Sequence, residues 1–174
     1  MINKKLYIMI GAPGSGKTTW CKNHMQENQD YISRDEIRFR LISPNDNYFS
    51  KERKVYQLFI EQINKSLSND RDVWADQTSL DRRARMRLLQ NLRANLQDVE
   101  IHAVWLNTPL DVCIERNRKR SGLANVPDQS IREMYHRIEK PTWSEGIKYL
   151  HIITNNEDEE IIDLEKEALE EWSL

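Results

Sequence analysis

Cysteine is scarce in this sequence, with two residues among 174. Cys21 and Cys113 lie far apart and match no metal-ligand spacing, so we expect two buried free thiols in a reducing cytoplasm. Long hydrophobic runs are missing as well, because no apolar stretch approaches the roughly 20 residues that cross a bilayer. The apolar N-terminal stretch ends at Gly11, which favours a buried first strand over a secretory signal. The sequence therefore predicts a cytoplasmic globular protein without a membrane segment.

The chain as a whole also lacks an excess of charge of one sign, although its C-terminal segment is strongly acidic. The net charge is −2, whereas residues 155–174 carry nine acidic residues and one lysine. The rest of the chain is consequently basic, at +6. A basic body is compatible with a polyanionic substrate, and a solvated surface with a charged terminal helix explains the same pattern equally well. We expect an acidic C-terminal helix at about 157–174.

Short apolar runs alternate with longer stretches of helical period. Strands are predicted at 6–10, 30–33, 73–75, 101–106 and 149–153, and helices at 17–27, 51–67, 82–96, 110–120, 129–138 and 161–172. A further helix begins at Ser33, where Ser33 and Glu36 form a capping box. This alternation predicts a single α/β domain over residues 1–174, with a parallel sheet of about five strands between two helical layers. Functional groups of such a sheet collect at the carboxyl ends of its strands.

Glycine is also scarce, yet three of the five glycines fall within Gly11–Gly16, directly after the first predicted strand. The segment ends in Lys17 and Thr18 and matches G-x-x-x-x-G-K-[ST], the P-loop of nucleotide-binding proteins. Its glycines allow backbone N–H groups to point at phosphates, its lysine reaches the β- and γ-phosphates, and its hydroxyl ligates Mg²⁺. We predict a P-loop NTPase fold that binds ATP and Mg²⁺, with Thr18 as the metal ligand. The predicted nucleotide contacts are Gly11, Gly14, Ser15, Gly16, Lys17, Thr18 and Thr19.

A P-loop does not specify what receives the phosphate. The Asn-Lys-x-Asp motif of guanine recognition is absent, and the chain is short for a motor, which favours a small phosphotransferase. Asp35 and Arg38 lie three residues apart after the second predicted strand, so both can face one site. Asp35 can accept a proton from a hydroxyl, and Arg38 can bind a phosphate. The alternative is that Asp35 only stabilises the helix dipole and pairs with Arg38.

Two further groups have the chemistry of such a site. Asp76 ends the third predicted strand, where a carboxylate suits a second-shell position at Mg²⁺ or a partner for an arginine, although a turn aspartate is an alternative. Arg116 and Arg120 share one helix face and precede a loop at 121–127. An arginine-bearing mobile loop is typical of a kinase lid, here predicted at 116–127. Cations at a helix C-terminus explain only some of these arginines.

The basic helix that begins at Asp81 admits two interpretations. Its arginines at 82, 83, 85 and 87 could follow a nucleic-acid backbone. A solvated helix face explains them at least as well.

These blocks, taken in order, resemble the kinase domain of phage-type polynucleotide 5′-kinases. The resemblance covers roughly residues 5–140 and includes Gly-x-Pro-Gly-Ser-Gly-Lys-Thr-Thr-Trp, Ser-Arg-Asp-Glu-Ile-Arg, Ala-Asp-Gln-Thr and Glu-Arg-Asn-Arg-Lys-Arg, followed by Val-Pro and Ile-Arg-Glu-Met-Tyr. It implies a P-loop α/β sheet and transfer of the γ-phosphate of ATP to a 5′-hydroxyl of DNA or RNA. The phosphatase motif Asp-x-Asp-Gly-Thr of the phage enzyme is absent, so we expect kinase activity alone.

The resemblance also implies roles for individual residues. Asp35 matches the general base, Arg38 the arginine on the acceptor's phosphate, and Asp76 a functional strand-end aspartate. Arg120 matches the lid arginine on the ATP phosphates, although an extra residue in the lid allows Arg118 to take that position. Lys17 and Thr18 match the P-loop lysine and hydroxyl, and Arg34 and Arg116 match flanking positions.

The sequence thus favours an ATP-dependent polynucleotide 5′-hydroxyl kinase whose partners are 5′-OH ends of DNA or RNA. Two other functions are compatible with the same residues. One is a P-loop kinase for a nucleoside, sugar, antibiotic or nucleotide-sugar. The other is a non-catalytic ATP-binding regulatory subunit.

Overall fold

The structure is a computed structural model that describes residues 4–92, 96–155 and 157–173. Strands and helices alternate along most of it. The strands are β1 (Lys4–Ile10), β2 (Gln29–Ser33), β3 (Asp72–Asp76), β4 (Val99–Leu106), β5 (Tyr149–Thr154) and β6 (Asp158–Asp163). The helices are α1 (Lys17–His24), α2 (Arg34–Leu41), α3 (Glu52–Ser68), α4 (Arg82–Leu92), α5 (Leu110–Arg118), α6 (Asp128–His136) and α7 (Leu164–Trp172).

The strands form one sheet in the order β2-β3-β1-β4-β5-β6. The first five are parallel, and β6 pairs antiparallel with β5 at the edge. Because β1 lies between β3 and β4, the chain leaves β1 toward one side of the sheet and later returns to the other. A reversal of this kind opens a crevice at the carboxyl ends of the strands. The segment after β1 therefore lies where a parallel sheet binds its ligand.

Each face of the sheet is covered by its own apolar cluster. On one face, Leu6 and Ile8 pack with Phe59 of α3 and Leu88 of α4. On the other face, Met9 packs with Trp20 and Cys21 of α1 and with strand residues such as Trp74 and Val104. The alternation along β1 sends neighbouring side chains to opposite faces. The predicted α/β architecture of a sheet between two helical layers is therefore confirmed.

The end of the chain differs from the prediction. The stretch predicted as one acidic helix contains strand β6 before helix α7, so the sheet has six strands rather than five in the described part of the chain. Asn155 adopts φ 54°, and β6 then folds back onto β5. Leu164 is buried as the apolar pattern suggested, but Ile161, Leu169 and Trp172 are largely exposed. Residues 158–163 have only a weak helical pattern, and as a strand they form backbone hydrogen bonds with the free edge of β5.

Other predictions differ mainly at boundaries. Helix α1 ends at His24 and α5 at Arg118, both earlier than predicted, and the predicted end of the helix at 82–96 lies partly outside the described residues. The Ser33 hydroxyl accepts a hydrogen bond from the Glu36 amide, which confirms the helix start at Ser33. Both cysteines are buried and unbridged, as expected. No helix in the described ranges is long and apolar enough to cross a bilayer.

Candidate active site

The candidate active site lies at the carboxyl ends of three adjacent strands. The P-loop follows β1, the turn that carries Asp35 follows β2, and Asp76 is the last residue of β3. The sheet order places these three strands side by side. Residues that are distant in sequence therefore meet at one edge, as the parallel arrangement predicted.

The P-loop wraps tightly around the lysine side chain. Lys17 is buried, and its Nζ donates to the carbonyl oxygens of Gly11 at 2.9 Å and Ala12 at 3.0 Å. Burial lowers the pKa of Lys17, while the carboxylates of Asp76 and Asp35 act in the opposite direction. A buried ammonium with only carbonyl partners is poised for a stronger anionic partner, and a phosphate in the loop is such a partner.

The P-loop also packs directly against α5. Gly14 adopts φ 84°, and a Cβ built there would lie 2.2 Å from the carbonyl oxygen of Cys113. Thr108, just before α5, donates from its hydroxyl to the Ser15 carbonyl at 2.8 Å. Glycine is therefore required at position 14 both for its backbone angle and for its space. The helix that bears Arg116 and leads to Arg120 is thus in contact with the phosphate-binding loop.

Thr18 and Asp76 form the part of the site that fits a magnesium ion. The Thr18 hydroxyl donates to Asp76 Oδ2 at 2.7 Å, and the Tyr31 hydroxyl donates to the same oxygen at 2.6 Å. Burial and Asp76 raise the pKa of Tyr31, so its hydroxyl keeps its proton. Since the Thr18 proton is held by Asp76, the lone pairs of its oxygen remain available to a hard cation. Within the described residues, Asp76 bonds to these two hydroxyls and pairs with no arginine, which favours the second-shell position predicted for it.

Asp35 and Arg38 lie together on the first turn of α2, as their spacing predicted. Arg38 Nη1 donates to Asp35 Oδ1, and Arg38 Nη2 donates to Glu52 at 2.6 Å. Tyr48 donates from its hydroxyl to the same Asp35 oxygen at 2.8 Å. The Arg38 side chain is 5% exposed and that of Asp35 is 58% exposed. The carboxylate is therefore held on one oxygen while it faces solvent.

Glu52 holds two arginines at once. Besides Arg38, it pairs with Arg34, which also donates to Gln77 at 2.9 Å. Burial alone would raise the pKa of Glu52, but hydrogen bonds from Arg38 and Arg34 lower it. Burial opposes the charge of Arg38 as well, yet the bond to Glu52 and the nearby Asp35 raise its pKa. The Arg38 guanidinium therefore stays charged and is held beside Asp35, and Glu52 also holds the guanidinium of Arg34.

The lid arginines lie on the opposite side of the P-loop. Arg116 and Arg120 line a cavity of about 380 Å³ together with Gly14, Gly16 and residues of α1, including Thr19. Arg120 is close enough to Lys17 to oppose its charge. Arg118 points elsewhere and pairs with Asp128. This geometry favours Arg120 over Arg118 as the predicted lid arginine.

The loop after α5 is anchored rather than extended. Asn117 is buried, and its side chain donates to Asn125 at 3.0 Å and to the Val126 carbonyl at 2.7 Å. A short 3₁₀ helix spans Gly122–Ala124 within the loop. The predicted lid thus has a fixed base, and its mobility stays a prediction.

The structure of α4 corrects the interpretation of its arginines as one nucleic-acid contact or one solvated face. Arg85 is completely buried and forms a bidentate ion pair with Glu145 at 2.8 and 2.9 Å. Arg82 hydrogen-bonds to Thr142 and Ser144. Arg85 therefore belongs neither to a nucleic-acid contact nor to a solvated helix face, whereas the side chain of Arg82 is 46% exposed and stays on the solvated face.

Sequence reasoning missed Tyr31, Tyr48 and Glu52. Each contacts a predicted site residue across 10 to 45 positions of sequence. An acid in the first turn of α3 and tyrosines near strand or loop ends have ordinary local explanations. No local pattern distinguishes them, because the Tyr31 contact depends on the pairing of β2 with β3, and those of Tyr48 and Glu52 depend on how α3 and the segment before it pack on α2.

Comparisons with known proteins agree with the fold described above. Residues 6–141 match the family model described as AAA domain. The chain belongs to this family. With kinases among its relatives and structural neighbours, this AAA-domain chain is a P-loop, kinase-like domain, and its fold implies ATP binding.

The relatives of this AAA-domain chain differ in their named activities. It is 26% identical over 151 residues to a protein of Autographa californica nuclear polyhedrosis virus that is named for polynucleotide kinase and RNA ligase activities. The alignment covers 79% of this chain but only 21% of that protein. An Arabidopsis thaliana protein named transcription factor bHLH140 is 31% identical over 66% of this chain and 11% of its own length.

Solved structures with the same fold include a chain of an RNA repair complex and a sugar kinase. A chain of a Pnkp1/Rnl/Hen1 RNA repair complex superposes with a TM-score of 0.68 at 19% identity, covering 93% of this chain and 49% of that one. A sugar kinase from Janibacter superposes with a TM-score of 0.60 at 18% identity, covering 99% and 92%. These likenesses establish the fold of the AAA-domain chain and leave its acceptor open.

Proposed function

We propose that this chain is an ATP-dependent kinase for the 5′-hydroxyl ends of DNA or RNA. The observation that carries the proposal is the group formed by Asp35, Arg38 and Arg34 beside the P-loop. A carboxylate that faces solvent is paired with Arg38, and Glu52 holds the guanidinium groups of both Arg38 and Arg34. An acceptor with both a hydroxyl and a phosphate matches this combination better than a neutral alcohol does.

In the proposed reaction the triphosphate lies on the P-loop amides, with Lys17 at its outer phosphates. Mg²⁺, held by Thr18 and phosphate oxygens, would supply neutralising charge there. The 5′-oxygen of the acceptor forms a bond to the γ-phosphorus as the bond from that phosphorus to the ADP oxygen breaks. Asp35 takes the hydroxyl proton, and Arg120 and Arg116 neutralise charge on the donor phosphates. Arg38 and Arg34 bind the phosphate that follows the acceptor's first nucleoside.

The names of two relatives support this acceptor. The viral relative is named for polynucleotide kinase activity, and the RNA repair complex contains a chain of this fold. The likeness to a sugar kinase supports the second candidate, a small-molecule kinase that uses the same P-loop and aspartate. Salt separates the two candidates, because neutralised phosphates release counterions. The KM of a polynucleotide should rise steeply with salt, whereas that of an uncharged acceptor should change little.

The direct test is transfer of label from γ-labelled ATP to oligonucleotides. A 5′-OH oligonucleotide should be labelled, and the same oligonucleotide with a 5′-phosphate should not. Label on neither, with ATP still bound, would remove the proposed acceptor and favour a small-molecule kinase or a non-catalytic ATP-binding subunit.

Asp35→Asn tests the role of the carboxylate. We expect transfer to fall by about 10²- to 10⁴-fold, the usual contribution of a general base, while ATP binding stays near the wild-type level. Glu36→Gln is the matched control, since Glu36 lies in the same helical turn but pairs with Lys22 and Arg40 at the surface. Equal losses in both variants, or loss of ATP binding in Asp35→Asn, would contradict the assigned role.

A further inference from the structure

Exposed aromatic side chains lie beside the predicted acceptor site. Phe49 is 62% exposed and Phe39 is 41% exposed, although both are large apolar rings. Tyr48 packs between them, edge-to-face with Phe49 at a centroid separation of 4.8 Å and with Phe39 at 6.3 Å. We call Phe39, Tyr48 and Phe49 the aromatic cluster. It joins the last turns of α2 to the segment that leads into α3.

The aromatic cluster is rigidly connected to the predicted chemistry. The Arg38 guanidinium lies 4.3 Å from the centre of the Tyr48 ring and 5.9 Å from that of Phe49. The Tyr48 hydroxyl is bonded to Asp35 at 2.8 Å. Through Tyr48, the exposed ring of Phe49 therefore has a fixed position relative to both the carboxylate and the arginine.

The combination of an exposed ring and charged guanidinium groups is the chemistry of single-strand recognition. Bases stack on aromatic side chains while cationic groups bind the backbone, and each stacked base contributes measurably to affinity. Since only a sugar separates a nucleobase from its phosphate, a phosphate held at Arg38 would bring the adjoining base near the aromatic cluster. Phe49 is more exposed than Phe39 and lies within cation–π distance of Arg38.

We propose that Phe49, supported by Tyr48, is a stacking site for the unpaired 5′-terminal nucleobase of a single-stranded acceptor. This inference rests on the proposed kinase function and names the part of the acceptor that is recognised. An unpaired terminal base turns onto the ring freely, whereas a paired base must first leave its partner. The site thus favours single-stranded ends.

The test compares two 5′-OH oligonucleotides that differ only at the first residue, which carries either adenine or a tetrahydrofuran abasic site. With the full chain, we expect the abasic acceptor to have a KM roughly 5- to 150-fold higher, the ratio that corresponds to one stacked base. Phe49→Leu keeps an apolar side chain but removes the ring. It should raise the KM of the adenine acceptor toward that of the abasic one, leave the abasic KM unchanged, and preserve kcat.

Two further variants keep the result interpretable. Phe49→Trp retains a ring and should preserve the preference for adenine, which separates stacking from any loss of folding. Trp172→Leu removes a ring that is 91% exposed at the other end of the chain, and it should change neither KM.

Three outcomes would overturn the inference. Equal KM values for adenine and abasic acceptors in the wild-type chain would show that no base is recognised. An equal rise in both KM values in Phe49→Leu would give Phe49 a structural role. Label transfer to neither oligonucleotide would remove the proposed function itself, together with this inference, and is distinguished from the other two by the absence of any turnover.

Discussion

At the scale of single residues, Tyr48 connects the groups on which the proposed reaction depends. Its hydroxyl accepts from Arg38 at 2.9 Å and donates to Asp35 at 2.8 Å. Burial and the Asp35 charge raise the pKa of Tyr48, so the hydroxyl remains a donor across the physiological range. The bond fixes one oxygen of the carboxylate and thereby orients the other.

Tyr48→Phe is expected to lower kcat by about tenfold, because a hydrogen bond to a charged group contributes about 1.5 kcal/mol. The ring is kept, so the KM of a base-bearing oligonucleotide should change little. Steady-state kinetics of the variant measure both values. Tyr149→Phe is the control, since Tyr149 lies on β5, where its ring contacts His102 of β4 away from the P-loop. A higher kcat in Tyr48→Phe would instead mean that the phenol blocks the acceptor's position.

The difference between Asp35 and Tyr48 shows what the sequence could predict about the site. The P-loop, Asp35 and Arg38 are each defined by spacings of a few residues, and the structure brings them together as predicted. Tyr48 and Glu52 lie 10 and 14 residues from Arg38 and reach it only because α3 packs on α2. Contacts of that range follow from tertiary packing and leave no periodic signal.

At the scale of elements, strands β4, β5 and β6 are joined by a chain of side-chain hydrogen bonds. His102 Nε2 lies 2.8 Å from Glu100, His102 Nδ1 lies 2.8 Å from His151, and His151 lies 2.7 Å from Glu159. Burial lowers the pKa of His102 to about 4, with Glu100 acting in the opposite direction and His151 in the same one. A neutral His102 therefore donates from Nε2 to Glu100 and accepts from His151 at Nδ1.

This lowered pKa predicts a loss of stability in acid. In the unfolded chain His102 takes up a proton below its ordinary pKa of 6.5, whereas in the folded chain it stays neutral down to about pH 4. Between these two pH values the unfolded state binds more protons, so the free energy of unfolding falls as the pH drops. Between pH 7 and pH 5 we expect up to about 2 kcal/mol of loss from this residue. Urea unfolding of the wild type and of His102→Gln at both pH values measures it. An equal loss in the variant would assign the effect to other groups.

The elements themselves were predictable wherever the apolar pattern was strong. The β1 pattern and the alternation that followed it were sufficient for the α/β fold, because buried strands separated by amphipathic helices have few other solutions. Strand β6 was missed, since its sequence Asp-Glu-Glu-Ile-Ile-Asp has four acids and only two apolar residues. Its pairing with β5 is made by backbone hydrogen bonds, which the pattern of side chains does not reveal.

At the scale of the whole molecule, the acidic end and the acceptor arginines lie at opposite edges of the sheet. Strand β2 leads into Arg34 and Arg38 at one edge, and β6 leads into α7 at the other. Five strand spacings of about 4.8 Å separate these edges by roughly 24 Å. The Debye length at 0.15 M salt is about 8 Å, so the acidic end should act little on the acceptor.

Neutralising the exposed acids of α7 tests this separation. In the triple variant Glu165→Gln, Glu170→Gln and Glu171→Gln, the KM of an oligonucleotide should stay within about twofold of the wild type at 0.15 M salt. A lower KM should emerge only at about 0.01 M, where the Debye length reaches about 30 Å. A large drop in KM at 0.15 M would place the acidic helix near the bound nucleic acid.

The composition of β6 has a consequence for how molecules of this protein meet one another. An outermost strand presents unpaired amides and carbonyls that invite a strand from a neighbouring chain, and charged side chains discourage such pairing. Asp158, Glu159 and Glu160 are consecutive on this strand and place acids on both of its faces, so two copies approaching through it would bring like charges together. We therefore expect these acids, which the proposed catalysis does not use, to oppose the growth of sheet-extended aggregates in concentrated solutions of the protein.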